Sequence, residues 1–249
     1  ALNVYAGAPT GDDPLYYMDD VLYQQIFEPL LFEDFESYTV GDYVAVVNPT
    51  WFTTWSNNPG SAEDALIVDD QAYSGSNSAQ VEGSTDLILK LGDKTAGQFA
   101  VDWKMYIPAG YAGYYNFQHF EAPGVEWAVE VYFNADGTAD LNADGATISF
   151  TYDQDTWLDI GHYIDLDADV AEMYLEGKVV HTWTWSTQAS GGAGANQLGG
   201  VDFFAGAQGS DVPLYYFDDV SYEQLGGATD PMIEVDPMSF EEEVGTGNS

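Results

Sequence analysis

The chain has 249 residues, 42 of them acidic and only four basic, so its formal net charge is −38. A surface of that sign offers nothing to hold phosphates, which excludes nucleic acid and disfavours anionic membranes. Yet 45% of residues are hydrophobic and 15% aromatic, the composition of a folded module with a substantial core rather than an acidic disordered tail.

Residues 2–26, LNVYAGAPTGDDPLYYMDDVLYQQI, align without a gap on residues 201–225, VDFFAGAQGSDVPLYYFDDVSYEQL, with 13 of 25 pairs identical. Arrays repeat whole units, so a spacing of one large β-domain predicts three pieces. Residues 1–26 are the closing strands of a preceding module, or a segment exchanged into a neighbouring subunit's sheet by strand addition. Residues 27–226 are one complete module. Residues 227–249 are a linker and the opening of an immunoglobulin-like domain.

Within the central unit the pattern is strands and turns throughout. EDFESYTVGDYV (33–44), WFTTWS (51–56) and AYSGSNSAQV (72–81) are short runs punctuated by Gly, Asn and Asp. The apolar run from Tyr43 to Val47 is far shorter than the ~20 residues that cross a bilayer, so membrane insertion is not expected. IPAGYAGYYNFQHFEAPG (107–124) is rich in Gly and Tyr and reads as a long loop that displays aromatics. WAVEVYF (127–133) alternates, followed by NADG and ADG turns around two further strands. IDLDADVAEMYLEGKVVHTWTW (164–185) repeats the device with DAD and EGK as turns. No stretch sustains helical periodicity for three turns, which predicts an all-β, antiparallel two-sheet sandwich.

The openings EDFESYTVGDYV and WFTTWS, the strand AYSGSNSAQV and the close LYYFDDVSYE (214–223) resemble, in that order, bacterial carbohydrate-binding modules of jelly-roll fold. The middle, from Trp157 through YLEGKVV, is similar to laminin-G and concanavalin A-like jelly rolls. Together the resemblance covers about residues 30–225 and implies a concanavalin A-like jelly roll. It also implies a secreted or cell-surface multidomain protein whose module serves adhesion or polysaccharide binding. Its partners are then a polysaccharide or cell-surface glycan and the neighbouring modules of the same protein.

In the DDV strand, period-two alternation places Leu214, Tyr216, Asp218, Val220 and Tyr222 on one face, so Asp218 points where a bare carboxylate is costly. The resemblance implies a structural calcium held by first-strand and last-strand carboxylates, here Asp34 and Glu36 with Asp218 and Asp219. Oxygen-rich, irregular sets suit calcium. The alternative is an aspartate satisfied by tyrosine hydroxyls or backbone amides. Asp136, Asp140, Asp144 and the Asp165, Asp167, Asp169 set are read as turn residues, since no EF-hand spacing is present.

Sugar rings stack on exposed aromatics, and the 107–124 stretch is the best placed to offer them. The candidate ligand site is therefore Tyr114 and Tyr115, with Gln118, Asn57 and Asn58 as polar partners. Trp183 and Trp185 face one way in HTWTW and are read as core. Cysteine is absent, which removes thiol and zinc–thiolate chemistry and disulfides together. His119, His162 and His181 lack ligand spacing, and no nucleophile elbow occurs. For glycoside hydrolysis, EVDPMSFEEE (234–243) carries a proline and lies beyond the closing strand, which leaves Glu126 and Glu130, four apart on one strand, as a same-face carboxylate pair. The expected function is non-enzymatic recognition, with a structural fibre repeat as the alternative and a glycoside hydrolase as a lesser one.

Overall fold

The computed structural model describes residues 29–225. The expectations for 1–26 and 227–249 concern residues outside that range. Alternation in the sequence becomes fifteen strands among the described residues. They are β1 (Leu31–Glu33), β2 (Phe52–Thr54), β3 (Leu66–Val68), β4 (Ser78–Glu82) and β5 (Asp86–Lys94). Next come β6 (Gln98–Tyr106), β7 (Gly113–Gln118), β8 (Trp127–Phe133), β9 (Thr138–Ala143) and β10 (Ala146–Thr151). The last five are β11 (Trp157–Asp165), β12 (Val170–Leu175), β13 (Lys178–Thr184), β14 (Leu198–Phe204) and β15 (Leu214–Leu225). The Val44–Val47 run closes into a single four-residue helical turn, α1.

The strands form two antiparallel sheets. One runs β13-β12-β11-β6-β15-β4-β3, with β1 also paired to β15, and the other runs β10-β9-β8-β7-β14-β5-β2. This is the expected jelly-roll sandwich, in which the chain crosses repeatedly between the two sheets and their apolar faces pack together. In β6, QFAVDWKMY puts Phe99, Val101, Trp103 and Met105 inward and leaves the intervening residues half-exposed. From the second sheet Leu87, Leu89, Tyr115, Phe117, Val131, Phe133, Val201 and Phe203 face them across the core. Trp183 and Trp185 are in the same core, as their spacing predicts.

The hairpins use the turn chemistry that the sequence carries. Asp144-Gly145 and Glu176-Gly177 both have positive φ at both residues, 51° and 72° and then 52° and 69°. They are the two-residue connections of β9 to β10 and of β12 to β13, the geometry that matches strand twist.

Two bulges break the expected parity. In β15 three steps from Asp218 to Ser221 span only two on β6, from Lys104 to Asp102, and Asp219 takes φ 47° as the extra residue. The predicted common face therefore divides: Val220 and Tyr222 point into the core, whereas Tyr216 and Asp218 lie on the opposite side. In β8, Gln118 pairs with Trp127 and Phe117 with Val129, so Ala128 is the extra residue. That shift corrects the expectation that Glu126 and Glu130 share a face. Glu126 comes to lie opposite His119, with its carboxylate toward His119 Nδ1 and the Ala195 N–H, while Glu130 sits opposite Asn116.

Strands β7 and β14 sit side by side and are buried on both faces almost throughout. The inner side is the core. On the outer side Trp55 and Trp127 line a cavity over Asn116 of β7 and Asp202 of β14.

Candidate functional site

The outer face of the seven-stranded sheet carries a row of polar residues in register. Ile88 of β5 pairs with Asp202 of β14, Asp202 with Asn116 of β7, Asn116 with Glu130 of β8, and Glu130 with Asn142 of β9. Beside it runs an aromatic row in which Tyr114 pairs with Tyr132, their rings 4.5 Å apart, and Phe204 stands edge-on to Tyr114 at 5.9 Å. Both rows follow from alternation, because their neighbours in sequence, such as Tyr115, Phe117, Val201 and Phe203, fill the core.

A cavity of ≈280 Å³ opens on this face, lined by Trp55, Asp86, Tyr114, Asn116, Trp127, Glu130, Asp202 and Phe204. It shares Trp55 with an adjoining hollow of ≈620 Å³ lined by Thr53, Asn57, Pro59, Lys90, Asp93, Glu121 and Pro123 among others. Trp55 and Trp127 stack near-parallel with centroids 6.2 Å apart, forming one wall. The wall is held by close backbone approach. A Cβ on Gly124, whose φ is +77°, would lie 3.0 Å from the Trp55 ring, and the Gly124 N–H donates to Gln118 Oε1 at 2.7 Å. Beneath it, a Cβ on Gly199 would lie 2.0 Å from the Phe120 carbonyl carbon, so only glycine lets this loop lie on β14.

The floor is polar and buried. Asn116 and Asp202 are 1% and 3% exposed, and Asn116 Nδ2 donates to Asp202 Oδ2 at 2.7 Å. Glu130 Oε1 accepts from the hydroxyls of Tyr114 and Tyr132 at 2.9 and 3.1 Å. Asp86 and Asp202 come within hydrogen-bond reach of one another. Burial pushes Asp86 up to about 6, and burial together with the Asp86 charge pushes Asp202 well above the usual carboxylate range. Asp86 Oδ1, Asp202 Oδ1, Asn116 Oδ1 and Gln118 Nε2 are all buried without a hydrogen-bond partner, an unusual concentration for one patch.

Of the residues expected from sequence to bind ligand, the structure brings some here and removes others. Tyr114 lines the cavity. Tyr115, its neighbour on β7, points the other way: it is fully buried, with its hydroxyl against His162 Nε2 at 2.9 Å. The displayed loop predicted for 107–124 is in its middle third the buried strand β7. Gln118 is buried beside Asn116 and reaches the loop through Gly124. Asn57 lines the adjoining hollow, and Asn58 is exposed on the same turn with its N–H bonded to Thr54 Oγ1.

The four carboxylates expected at calcium do not converge. Asp34 Oδ1 accepts the Glu36 N–H, and Glu36 Oε1 accepts the N–H groups of Ser76 and Asn77 at 2.8 and 2.6 Å. Asp218 Oδ2 accepts from Tyr73 and Ser74, Asp218 Oδ1 from Asp219, and Asp219 Oδ1 from the Ser74 hydroxyl. Among the described residues no three acidic or imidazole side chains surround a metal-sized point. Glu36, Asp218 and Asp219 instead hold the 73–77 loop through its backbone N–H groups and the Ser74 hydroxyl, and for Asp218 this is the alternative in which backbone amides satisfy the carboxylate.

A second cavity of ≈560 Å³ lies at the seam between β10 and β13, walled by Ile148, Phe150, Leu175, Val179 and Val180. None of its lining residues carries a buried polar atom without a partner. The outer-face groove is therefore the candidate site.

No protein-family model and no curated protein matches the chain. Solved structures do. A sialidase superposes with a TM-score of 0.55 at 11% identity, over 79% of this chain and 18% of its own. The chain thus spans less than a fifth of that protein. An alginate lyase solved with an alginate tetrasaccharide gives 0.47 at 11% identity, over 78% of this chain and 96% of its own. The binding domain of botulinum neurotoxin serotype G gives 0.42 at 11% identity, over 70% and 48%. The likeness to the sialidase establishes the β-sandwich fold.

Proposed function

We propose that the module is a non-enzymatic carbohydrate-recognition module of an extracellular or cell-surface protein, binding glycan in the outer-face groove. The observation that carries this reading is the combination of a stacked Trp55–Trp127 wall with a buried, under-satisfied polar floor. Pyranose rings present apolar faces and hydroxyl edges together, and this groove offers a surface for each. Two features favour binding over hydrolysis. Asp86 and Asp202 are within hydrogen-bond reach of one another, whereas glycosidase carboxyls stand roughly 5–10 Å apart, and the β8 bulge turns Glu126 away from Glu130.

Binding to a panel of immobilised neutral, amino and acidic oligosaccharides tests the reading. Trp55→Ala and Trp127→Ala are each expected to weaken the best glycan about tenfold, which corresponds to about 1.4 kcal/mol. Trp157→Ala, on the other sheet, is expected to leave it unchanged. A folded protein that binds no glycan in the panel, or one indifferent to loss of both groove tryptophans, overturns it.

A further inference from the structure

The groove floor has an unbalanced set of polar atoms. Asp86, Asp202 and Asn116 lie on the adjacent strands β5, β14 and β7, and each presents a buried oxygen that accepts nothing. Around them stand the rings of Trp55, Trp127, Tyr114 and Phe204. The other titratable groups facing the pair are Glu63 on the Asp86 side, Glu130 on β8, and the Tyr114 and Tyr215 hydroxyls. None of these is a cation. Burial raises both carboxyls, so the pair retains a proton while no ligand is bound.

The chemical complement of three unpartnered acceptors on adjacent strands beneath an aromatic enclosure is a cation with three donors on an apolar-faced body. A primary ammonium has three N–H donors and no acceptor. Aromatic faces attract it further. A calcium ion needs six to eight oxygens, which ring carbons cannot supply. A uronate or other acidic sugar would meet two aspartates and a glutamate.

We propose that the groove is selective for amine-bearing glycans, seating the ammonium of an unacetylated hexosamine on Asp86, Asn116 and Asp202 with its ring against the tryptophan wall. The proposal rests on the carbohydrate reading and narrows it to one substrate class. Gln118 Nε2, the fourth unpartnered atom, is a donor two residues beyond Asn116 on β7 and suits a sugar hydroxyl oxygen. When the ammonium binds, both carboxyls must be ionised, so the retained proton leaves to solvent and the amine carries the charge. Binding then weakens as the pH falls and that proton is retained.

Titration calorimetry with three oligosaccharides of equal length tests this: glucosamine, N-acetylglucosamine and glucose. About 0.5 M salt screens the general attraction of a −38 protein for any polycation. At pH 7 the glucosamine oligomer is expected to bind at least tenfold tighter than its acetylated form, with net proton release measurable from two buffers of different ionisation enthalpy. At pH 5 that preference should shrink severalfold. Asp202→Asn, and separately Asp86→Asn, should collapse the preference toward unity; the residue aligned with Asp202 in the N-terminal sequence copy is Asn3. Equal or tighter binding of the acetylated or glucose oligomer overturns the ammonium seat while leaving glycan recognition intact. A preference that survives both aspartate substitutions overturns it as charge attraction from elsewhere. Absence of binding by all three removes both readings.

Discussion

Replacing Asp218 with alanine is expected to lower the melting temperature by about 10 °C. The carboxylate is fully buried and is the sole acceptor drawn to three backbone N–H groups, those of Tyr73 at 2.8 Å, Ser74 at 3.2 Å and Asp219 at 2.8 Å. Each buried donor left unmet costs about 1–3 kcal/mol, so a total of about 4 kcal/mol is reasonable. For a domain of this size each kcal/mol moves the midpoint by about 2–4 °C. Asp218→Asn keeps one oxygen and should lose about half as much. Adding a chelator to the unmodified protein should leave the midpoint where it was, because both Asp218 oxygens and Glu36 Oε1 already accept backbone N–H groups. Calorimetric melts of the three proteins with and without chelator measure both effects; a drop on chelation would restore calcium to the clamp.

That Asp218 is buried was legible in the sequence, because it interrupts an apolar alternation in LYYFDDVSY, but the side on which it is buried was not. Its partners were not, since the donors come from residues some 145 positions earlier. The bulge that puts Asp218 and Tyr222 on opposite faces was equally hidden. A bulge is set by pairing with β6, and period-two reading of one strand carries no record of its partner. The same limit explains Glu126 and Glu130, whose common face depended on an unbroken β8. The fold class was accessible because it rests on local signals, among them Asp-Gly and Glu-Gly turns and strict alternation in strands such as β6. The groove lay beyond such reading. Its polar floor takes one residue each from β5, β7, β8 and β14, and only β7 and β8 are neighbours in the chain, so sheet order is what assembles it. Tyr114 was found by its aromatic character and Tyr115 misplaced for the same reason, because composition does not say which neighbour faces out. One signal for Asp202 did exist. VDFF sets an acid between core residues, and its aligned copy LNVY keeps a polar residue at that position while changing its charge.

The second large effect is expected in the pH dependence of stability: the melting temperature should rise as the pH falls from about 8 to about 5. Asp218 is held up at about 6 and Asp86 at about 6, in both cases chiefly by burial. Asp102 is held up at about 7 by burial and by the neighbouring charges of Asp159 and Glu223. Asp202 lies further in the same direction. A carboxyl whose folded pKa exceeds its unfolded value of 3.8 binds more protons when native, so its native state gains stability as the pH drops through the folded value. For the fully buried Asp218 the gain is roughly 3 kcal/mol once complete, at about 1.4 kcal/mol per unit. Falling net charge acts in the same sense by relieving self-repulsion. One group opposes them. His162, packed between Trp103 and Phe117 in the core, has its pKa lowered by burial from 6.5 to about 3. It stays neutral when folded and charges when unfolded, so it costs stability as the pH falls below 6.5. Four carboxyls outweigh one imidazole until the unfolded carboxyls themselves begin to protonate near 3.8. Below that the carboxyl gain is complete and the His162 loss continues. The melting temperature should therefore pass through a maximum near pH 4–5, measurable by scanning calorimetry at fixed ionic strength. Asp102→Asn should flatten the limb between pH 8 and 6, and Asp218→Asn the limb between 7 and 5. A midpoint that falls steadily on acidification from pH 8 would mean that these carboxyls are ionised in place, with cations or water supplying the compensation that the fold itself does not.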